Sequence, residues 1–508
     1  QLFQHQTIAE LGEVATSAGA GVADQGAVTG PVALTPIQHW FFERITAGRE
    51  HWNQALAFAS RQALDAGRLR QVCGHLVEHH DILRARYEPT PEGWSQHLAA
   101  PDAADADAVF TVVDLAGVAE ADRGRAFTAA AAGLQASLDL ARGPLLRVAL
   151  FTAAPGWQRL LLFAHHLVVD GVSWRILLAD LETAYGQLER GEPIALPLKT
   201  TSFQRWAEFL GERARAGAFD GELDFWRSLA ELSHAADGRA GSATGGANSV
   251  ASESSVTVTL DAERTAALLH EVPAVYKTQI NDVLLTALAA ALGERDGGGA
   301  VLIELEGHGR EDLSEEIDLS RTVGWFTSRF PVLLNVAPGA DPGSALRSVK
   351  EQLRRIPGHG LGYGVLRHLA GEAGGAALAA GAHARISFNY LGQLDQALAE
   401  ESALLPAREH AGSSRSPASL RPHELEIIAS VVERQLEARW IYSTALDREA
   451  SIARLAGDFM RHLTALIEHC RTPGAGEVTA ADFPLAQLDE DKLRWIGALL
   501  EQADGGPE

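Results

Sequence analysis

The chain has 508 residues, 46% of them apolar and 21% charged, and its 43 basic against 66 acidic side chains give a net charge of −23. That length exceeds one ordinary hydrophobic core and predicts two or three packed units of a globular protein. The acidic balance argues against nucleic acid, whose phosphates need clustered Lys and Arg, and no apolar run reaches the roughly 18 to 20 residues of a membrane span.

In chain order, residues 1–17 hold a short helix capped near Thr7, and 18–30, small and Gly/Ala-rich, read as a linker. A first large unit is expected over 31–205. Its strongest elements are a helix over 65–79, an apolar strand over 160–164 and a helix from about Ser173, with Ile176, Leu177, Leu181 and Leu188 on one buried face. The Ala/Asp-rich stretch 102–107 reads as a loop. A second unit, 206–480, opens on a Trp-bearing helical stretch (Trp206, Phe225, Trp226) and a Gly/Ala/Ser-rich segment at 234–255. Strands follow at 255–260, 300–306, 330–336, 385–390, 426–430 and 437–442, with helices at 281–292 and 450–469. Residues 481–508 form a tail. Strands and helices alternate in both units, which predicts an α/β (α+β sandwich) protein: two similar halves, each a mixed sheet with helices on one face, and a cleft between them.

The N-terminus has no signal-like stretch and the only Met is Met460, so the sequence reads as a segment of a longer, cytoplasmic polypeptide. Cys73 and Cys470 form no CxxC; buried free thiols are the simple reading, with one long-range disulfide left open. The nineteen His include no HExxH and no Cys/His ligand cluster, so no metal site is expected.

Two constellations carry chemistry. His165-His166-x-x-x-Asp170-Gly171 stands where an apolar strand ends and a helix begins. A His at such an edge can act as a general base near neutral pH, a carboxylate four residues on can tie down the turn, and Gly allows a backbone angle that other residues resist. The structural alternative is a His pair that satisfies backbone groups. Glu306, in Glu306-Gly-His-Gly-Arg310-Glu311, likewise ends a strand before a flexible turn. On its own it reads first as a solvated loop carboxylate. Together, on opposing lobes, the two groups are what a two-base racemisation needs.

With these residues the chain resembles the condensation superfamily of nonribosomal peptide synthetases, marked by HHxxxDG. Val172-Ser173-Trp174-Arg175-Ile176-Leu177 is similar to its epimerization branch, whereas peptide-bond-forming relatives usually have Trp directly after the Gly. Further signatures are resembled by Leu34-Thr-Pro-Ile-Gln38, Leu196-Pro-Leu-Lys199, Tyr276-Lys-Thr278, Arg321-Thr-Val-Gly324-Trp325-Phe326 and Ser387-Phe388-Asn389-Tyr390. The resemblance spans about Pro31 to Leu485, with the motifs in the expected order.

The resemblance implies two chloramphenicol-acetyltransferase-like lobes in a V-shaped pseudo-dimer, with the active site in a tunnel between them. It implies epimerization of the Cα of an aminoacyl or peptidyl thioester, with His166 and Glu306 as the acid–base pair. His165, Asp170, Gly171, Asp180, Arg310, Asn389 and Tyr390 carry over as supporting residues, Tyr390 as a possible donor to an enolate oxygen, and Asp180 equally as a helix-surface residue. No cofactor is implied, because the substrate arrives on the 4′-phosphopantetheine arm of a carrier protein. Residues 1–17 resemble the last helix of that carrier, upstream in cis, and the stretch from Ala481 resembles an exit towards a condensation domain or docking partner; the segment itself is expected as a monomer. His359 departs from the pattern, standing where the family commonly has Lys on the carrier-binding side. Competing readings are a condensation domain, including the dual epimerizing form, and a non-catalytic carrier-binding module.

Overall fold

The computed structural model describes residues 23–476, apart from 103–106, 154–155, 238–245, 380, 382 and 394–403. The expected helix within 1–17 and the tail at 481–508 lie outside the described residues, as do most of the 102–107 loop and part of the 234–255 segment. The N-terminal half supplies β1 (Gly30–Val32), β2 (Asn53–Ser60), β3 (Ala85–Thr90), β4 (Gly93–Leu98), β5 (Phe110–Asp114), β6 (Leu146–Thr152) and β7 (Gln158–His165). The C-terminal half supplies β8 (Glu253–Leu260), β9 (Val301–Gly307), β10 (Ser328–Leu334), β11 (Ile386–Gln393), β12 (Leu404–Pro406), β13 (Leu425–Val432) and β14 (Gln435–Ser443). They form sheets of order β12-β2-β7-β6-β5 and β10-β9-β11-β13-β14-β8, with a small β1-β4-β3 sheet beside them.

The apolar run at 160–164 explains the first sheet. Successive side chains of a strand leave opposite faces, so Leu160, Leu162 and Ala164 join one core, and Leu161 and Phe163 another. The first core is completed by residues of the helices Ala66–His79 and Gly171–Glu189, the second by Phe127 of the helix Arg123–Gln135, against Phe151. Helices on one face were expected here; instead both faces are covered, which is why β7 is apolar without alternation from Leu160 to Ala164.

The second sheet does alternate. Ile303, Leu305, Phe330, Phe388, Ile427 and Trp440 are buried on one face, and Trp440 meets Phe459 of the helix Glu449–Cys470 edge-on. Its other face carries Glu304, Glu306, Arg329, Asn389 and Glu426. A row of charge on a sheet face needs partners or water, and this face lines the cleft. The two thiols, Cys73 and Cys470, are free and buried. None of the described helices is long and apolar enough to cross a membrane.

The halves are tied rather than merely adjacent. The division expected between 205 and 206 falls inside the helix Phe203–Arg215, capped by Ser202. β12 comes from the C-terminal half yet pairs with β2, Leu404 opposite Ser60, and so edges the N-terminal sheet. Asp180 is no surface residue: its carboxylate is 1% exposed, receives the Arg321 guanidinium and lies 2.9 Å from His80 Nε2. It thereby joins the helix Gly171–Glu189 to the end of the helix Ala66–His79 and to the C-terminal half. His79, His80 and Asp180 are also grouped closely enough to resemble metal ligands, but Arg321 already occupies Asp180. Removing one partner of a buried pair leaves the other charge uncompensated, so Asp180→Ala is expected to cost about 3 kcal/mol, read as a lower urea midpoint; an unchanged midpoint would contradict this role.

Candidate active site

β7 delivers the two histidines differently. His165, its last residue, is fully buried; its Nε2 lies 2.7 Å from the Arg49 carbonyl, and its Nδ1 accepts the Leu167 N–H at 3.2 Å. Burial pushes it down to about 3, so it is a neutral structural residue. His166 begins a single 3₁₀ turn, and its own N–H is bound by the Trp52 carbonyl at 2.9 Å. Its ring lies against Trp325, centroids 4.2 Å apart. Nδ1 is 2.8 Å from the Val169 carbonyl, which can only accept, so Nδ1 carries the hydrogen and Nε2 presents a lone pair. Burial lowers the imidazole below its ordinary value, opposed by its local backbone hydrogen bond and by the Glu306 carboxylate.

Glu306 is the penultimate residue of β9, directly opposite Arg329 of β10. Arg329 Nε donates to Glu306 Oε1 at 3.0 Å, a second guanidinium nitrogen joins it, and Asn389 Nδ2 donates to Oε2 at 2.8 Å. Arg329 also holds Glu304 at 2.9 Å and lies over the Trp40 ring at 3.9 Å. Burial alone would raise Glu304, but Arg329 and His423 outweigh it and hold its carboxyl at about 2. Trp325, which touches His166, and Arg329, which holds Glu306, line a common cavity of about 50 Å³.

The two strand ends are clasped across the cleft. Asp170 caps the helix Gly171–Glu189, accepting from Ser173 N at 2.7 Å and Ser173 Oγ at 2.8 Å. The same carboxylate receives Arg310 Nη2 at 3.2 Å and the Phe326 N–H at 3.3 Å. Ser173 Oγ accepts the Gly324 N–H at 3.0 Å. Arg310 lies over the Phe326 ring at 3.9 Å and donates to the Leu319 and Thr322 carbonyls at 2.8 Å. The turn that brings Arg310 round needs glycine: Gly309 has φ +66°, and a Cβ there would lie 1.7 Å from the Phe326 carbonyl oxygen.

The structure thus brings His166, Asp170, Glu306, Arg310 and Asn389 into one site, with His165 behind them and Asp180 supporting the helix from outside. Gly171 does not play its expected part. It starts the helix without a left-handed angle, and a Cβ there would meet open space, so what it contributes is room at the helix mouth. Tyr390 follows Asn389 on β11, so the strand period sends it to the opposite face; burial there pushes its hydroxyl up to about 12. His359 meets Glu311 at 2.8 Å and ties its own loop to the turn after Glu306. Sequence reading missed Arg329 and Gln54, whose amide bridges Trp174 and His166. Neither has a motif; each is found only through pairing to a neighbouring strand.

The sequence matches the family described as Condensation domain over residues 28–488. Linear gramicidin synthase subunits D and C of Brevibacillus parabrevis are 43% and 44% identical over 97% and 98% of this chain, which spans 10% and 6% of their lengths. The crystal structure of the epimerization domain from the third module of tyrocidine synthetase B is similar with a TM-score of 0.80 and 36% identity, covering 88% of this chain and 99% of that one. The first condensation domain of the CDA synthetase shares the fold, with a TM-score of 0.65 and 20% identity over 88% of this chain and 97% of that one. With its mixed α/β sheets and clasped cleft, the chain belongs to the Condensation domain family.

Proposed function

We propose that this chain is an epimerase that interconverts the L and D configurations at the Cα of an aminoacyl or peptidyl group, held as a thioester on the pantetheine arm of a carrier protein. The observation that carries the proposal is the clasp between the strand ends: Arg310, four residues after Glu306, reaches Asp170, four residues after His166, while Trp325 against His166 and Arg329 on Glu306 line one cavity between them. The similarity to a tyrocidine synthetase epimerization domain supports the same reading.

The chemistry follows from where the pair stands. A thioester acidifies the adjacent Cα–H more than an amide does, so a side-chain base suffices to remove the proton. The pair must share one proton: one group takes hydrogen from one face of Cα, and the other returns hydrogen to the opposite face. Reversing the roles gives the reverse reaction, and solvent exchange resets the pair. His166 is suited to accept, with its Nδ1–H tied to Val169 and its Nε2 lone pair held, among the described residues, by nothing but the Gln54 amide, 2.9 Å away. Glu306 is held by donors from Arg329 and Asn389, and when His166 accepts, Glu306 must be the member that carries the pair's proton and delivers it to the opposite face.

The reaction so written needs no cofactor beyond the carrier's arm. The partners are an upstream carrier and a downstream condensation or docking domain, in a cytoplasmic peptide-assembly line.

Loading an excised carrier with an L-aminoacyl-pantetheine and adding the chain in D₂O is expected to give α-deuterated D-epimer. Exchange no faster than with His166→Ala would contradict the proposal, and peptide-bond formation with a second loaded carrier would point to condensation instead. Glu306→Gln is expected to slow turnover by about 10² to 10⁴-fold in at least one direction, measured by chiral analysis from each epimer. Near-native rates in both directions would make Glu306 structural.

A further inference from the structure

Proton transfer is only half of what an epimerase must arrange. When the Cα–H bond breaks, its electron pair forms a carbon–carbon double bond, and the carbonyl π pair moves onto the thioester oxygen. That oxygen becomes an enolate and needs a hydrogen-bond donor already in place. In a thioester it lies about 2.4 Å from Cα by ordinary bond lengths. A donor that reaches the base nitrogen therefore also reaches the oxygen.

Gln54 of β2 stands at that point, paired with Ala164 of β7. Its orientation follows from its neighbours. The indole N–H of Trp174 can only donate, and it meets Gln54 Oε1 at 2.7 Å. The amide nitrogen is thereby turned to His166 Nε2, 2.9 Å away. At the other end of this chain of bonds the Val169 carbonyl can only accept, which leaves Nε2 free to receive one amide hydrogen. Among the described residues, the second hydrogen of that amide meets no protein acceptor.

We propose that the Gln54 side-chain NH₂ is the hydrogen-bond donor to the enolate oxygen, and that Trp174 is the residue that positions it. This rests on the epimerase reading above. As the substrate's Cα–H takes the place of the amide on Nε2, the NH₂ group turns to the neighbouring thioester oxygen, while the indole holds the other end of the amide. The proton leaves Cα for one member of the His166–Glu306 pair, the enolate collapses as the other member returns a proton, and Gln54 neither gains nor loses one. The Asn389 amide is engaged on Glu306, Arg329 on Glu304 and Glu306, and Arg310 on Asp170. The Trp325 indole N–H, on the ring packed against His166, has no partner among the described residues and is the competing donor, so Trp325→Phe serves as the comparison variant. The Tyr390 hydroxyl leaves the other face of its strand. The Val-Ser-Trp segment after Gly171 thus acquires a chemical role through Trp174.

The test compares the unaltered chain with Gln54→Leu, Gln54→Glu and Trp174→Phe, each checked for a native melting profile, using the L- and D-aminoacyl carrier. Loss of an enolate donor is expected to lower kcat by about 10² to 10³-fold in both directions. KM and the pH at which kcat falls should change little. Gln54→Glu, which keeps an acceptor for the indole but removes the donor, should lose as much as Gln54→Leu, and Trp174→Phe should lose less. Near-native kcat in Gln54→Leu would overturn the proposal and leave the oxygen to the backbone N–H groups at the start of the helix Gly171–Glu189. A loss that appears only as a shifted pH profile would also overturn it, because Gln54 would then act on His166 alone. If the unaltered chain exchanges no α-proton, the epimerase reading and this proposal fall together.

Discussion

Asp170 stands four residues after His166, and Arg310 four residues after Glu306; the ion pair between them is the constraint on which the site depends. Each of the proposed acid–base groups lies at the end of a strand of a different half, His166 just after β7 and Glu306 just before the last residue of β9, so neither sheet alone fixes their separation. The Asp170–Arg310 contact does so, reinforced by the Gly324 N–H on Ser173 Oγ and by the Phe326 N–H on Asp170. A buried ion pair adds little net stability, because desolvation offsets much of its Coulomb attraction. What this one supplies is geometry. It holds two loops at a fixed spacing, with the guanidinium pressed on Phe326 so that it has little freedom to swing.

The charged face of the second sheet follows the same logic. Glu304, Glu306 and Arg329 are neighbours because antiparallel pairing places Arg329 opposite Glu306. Arg329 divides its donors between the two carboxylates, and its flat cation covers Trp40. Glu306 is therefore held at a set angle by Arg329 and Asn389, much as His166 is held by Val169, Gln54 and Trp325. Two groups that exchange protons with one carbon must each be oriented before the substrate arrives, since a loosely held base would lose the advantage of proximity.

Much of this was legible in the sequence because it is local. The strand ends at His165 and Glu306, the helix that starts at Asp170-Gly171 and the long C-terminal helix are written in apolar periodicity and turn residues, and their observed limits lie within a few residues of expectation. Non-local features were not legible. Coverage of both faces of β7 depends on the helix Arg123–Gln135, whose Ala-rich sequence does not announce its face. The crossing of β12 to β2 joins residues more than 340 positions apart. Asp180 reads as a helix-surface acid until Arg321 and His80 are seen against it, and Tyr390 reads as a site residue until strand alternation turns it away. Gln54 and Arg329 carry no motif at all, and their parts follow only from the strands beside them.

The central claim is that two groups on opposite faces exchange protons with one Cα. The most direct measurement is the position of label at early times in D₂O, starting from pure protiated L-aminoacyl carrier. Delivery from a second, solvent-equilibrated group predicts that the D-epimer formed first is already α-deuterated while the remaining L-epimer is still protiated. Equal early labelling of both epimers, or D-epimer that retains the original hydrogen, would mean that one base serves both faces and would contradict the account.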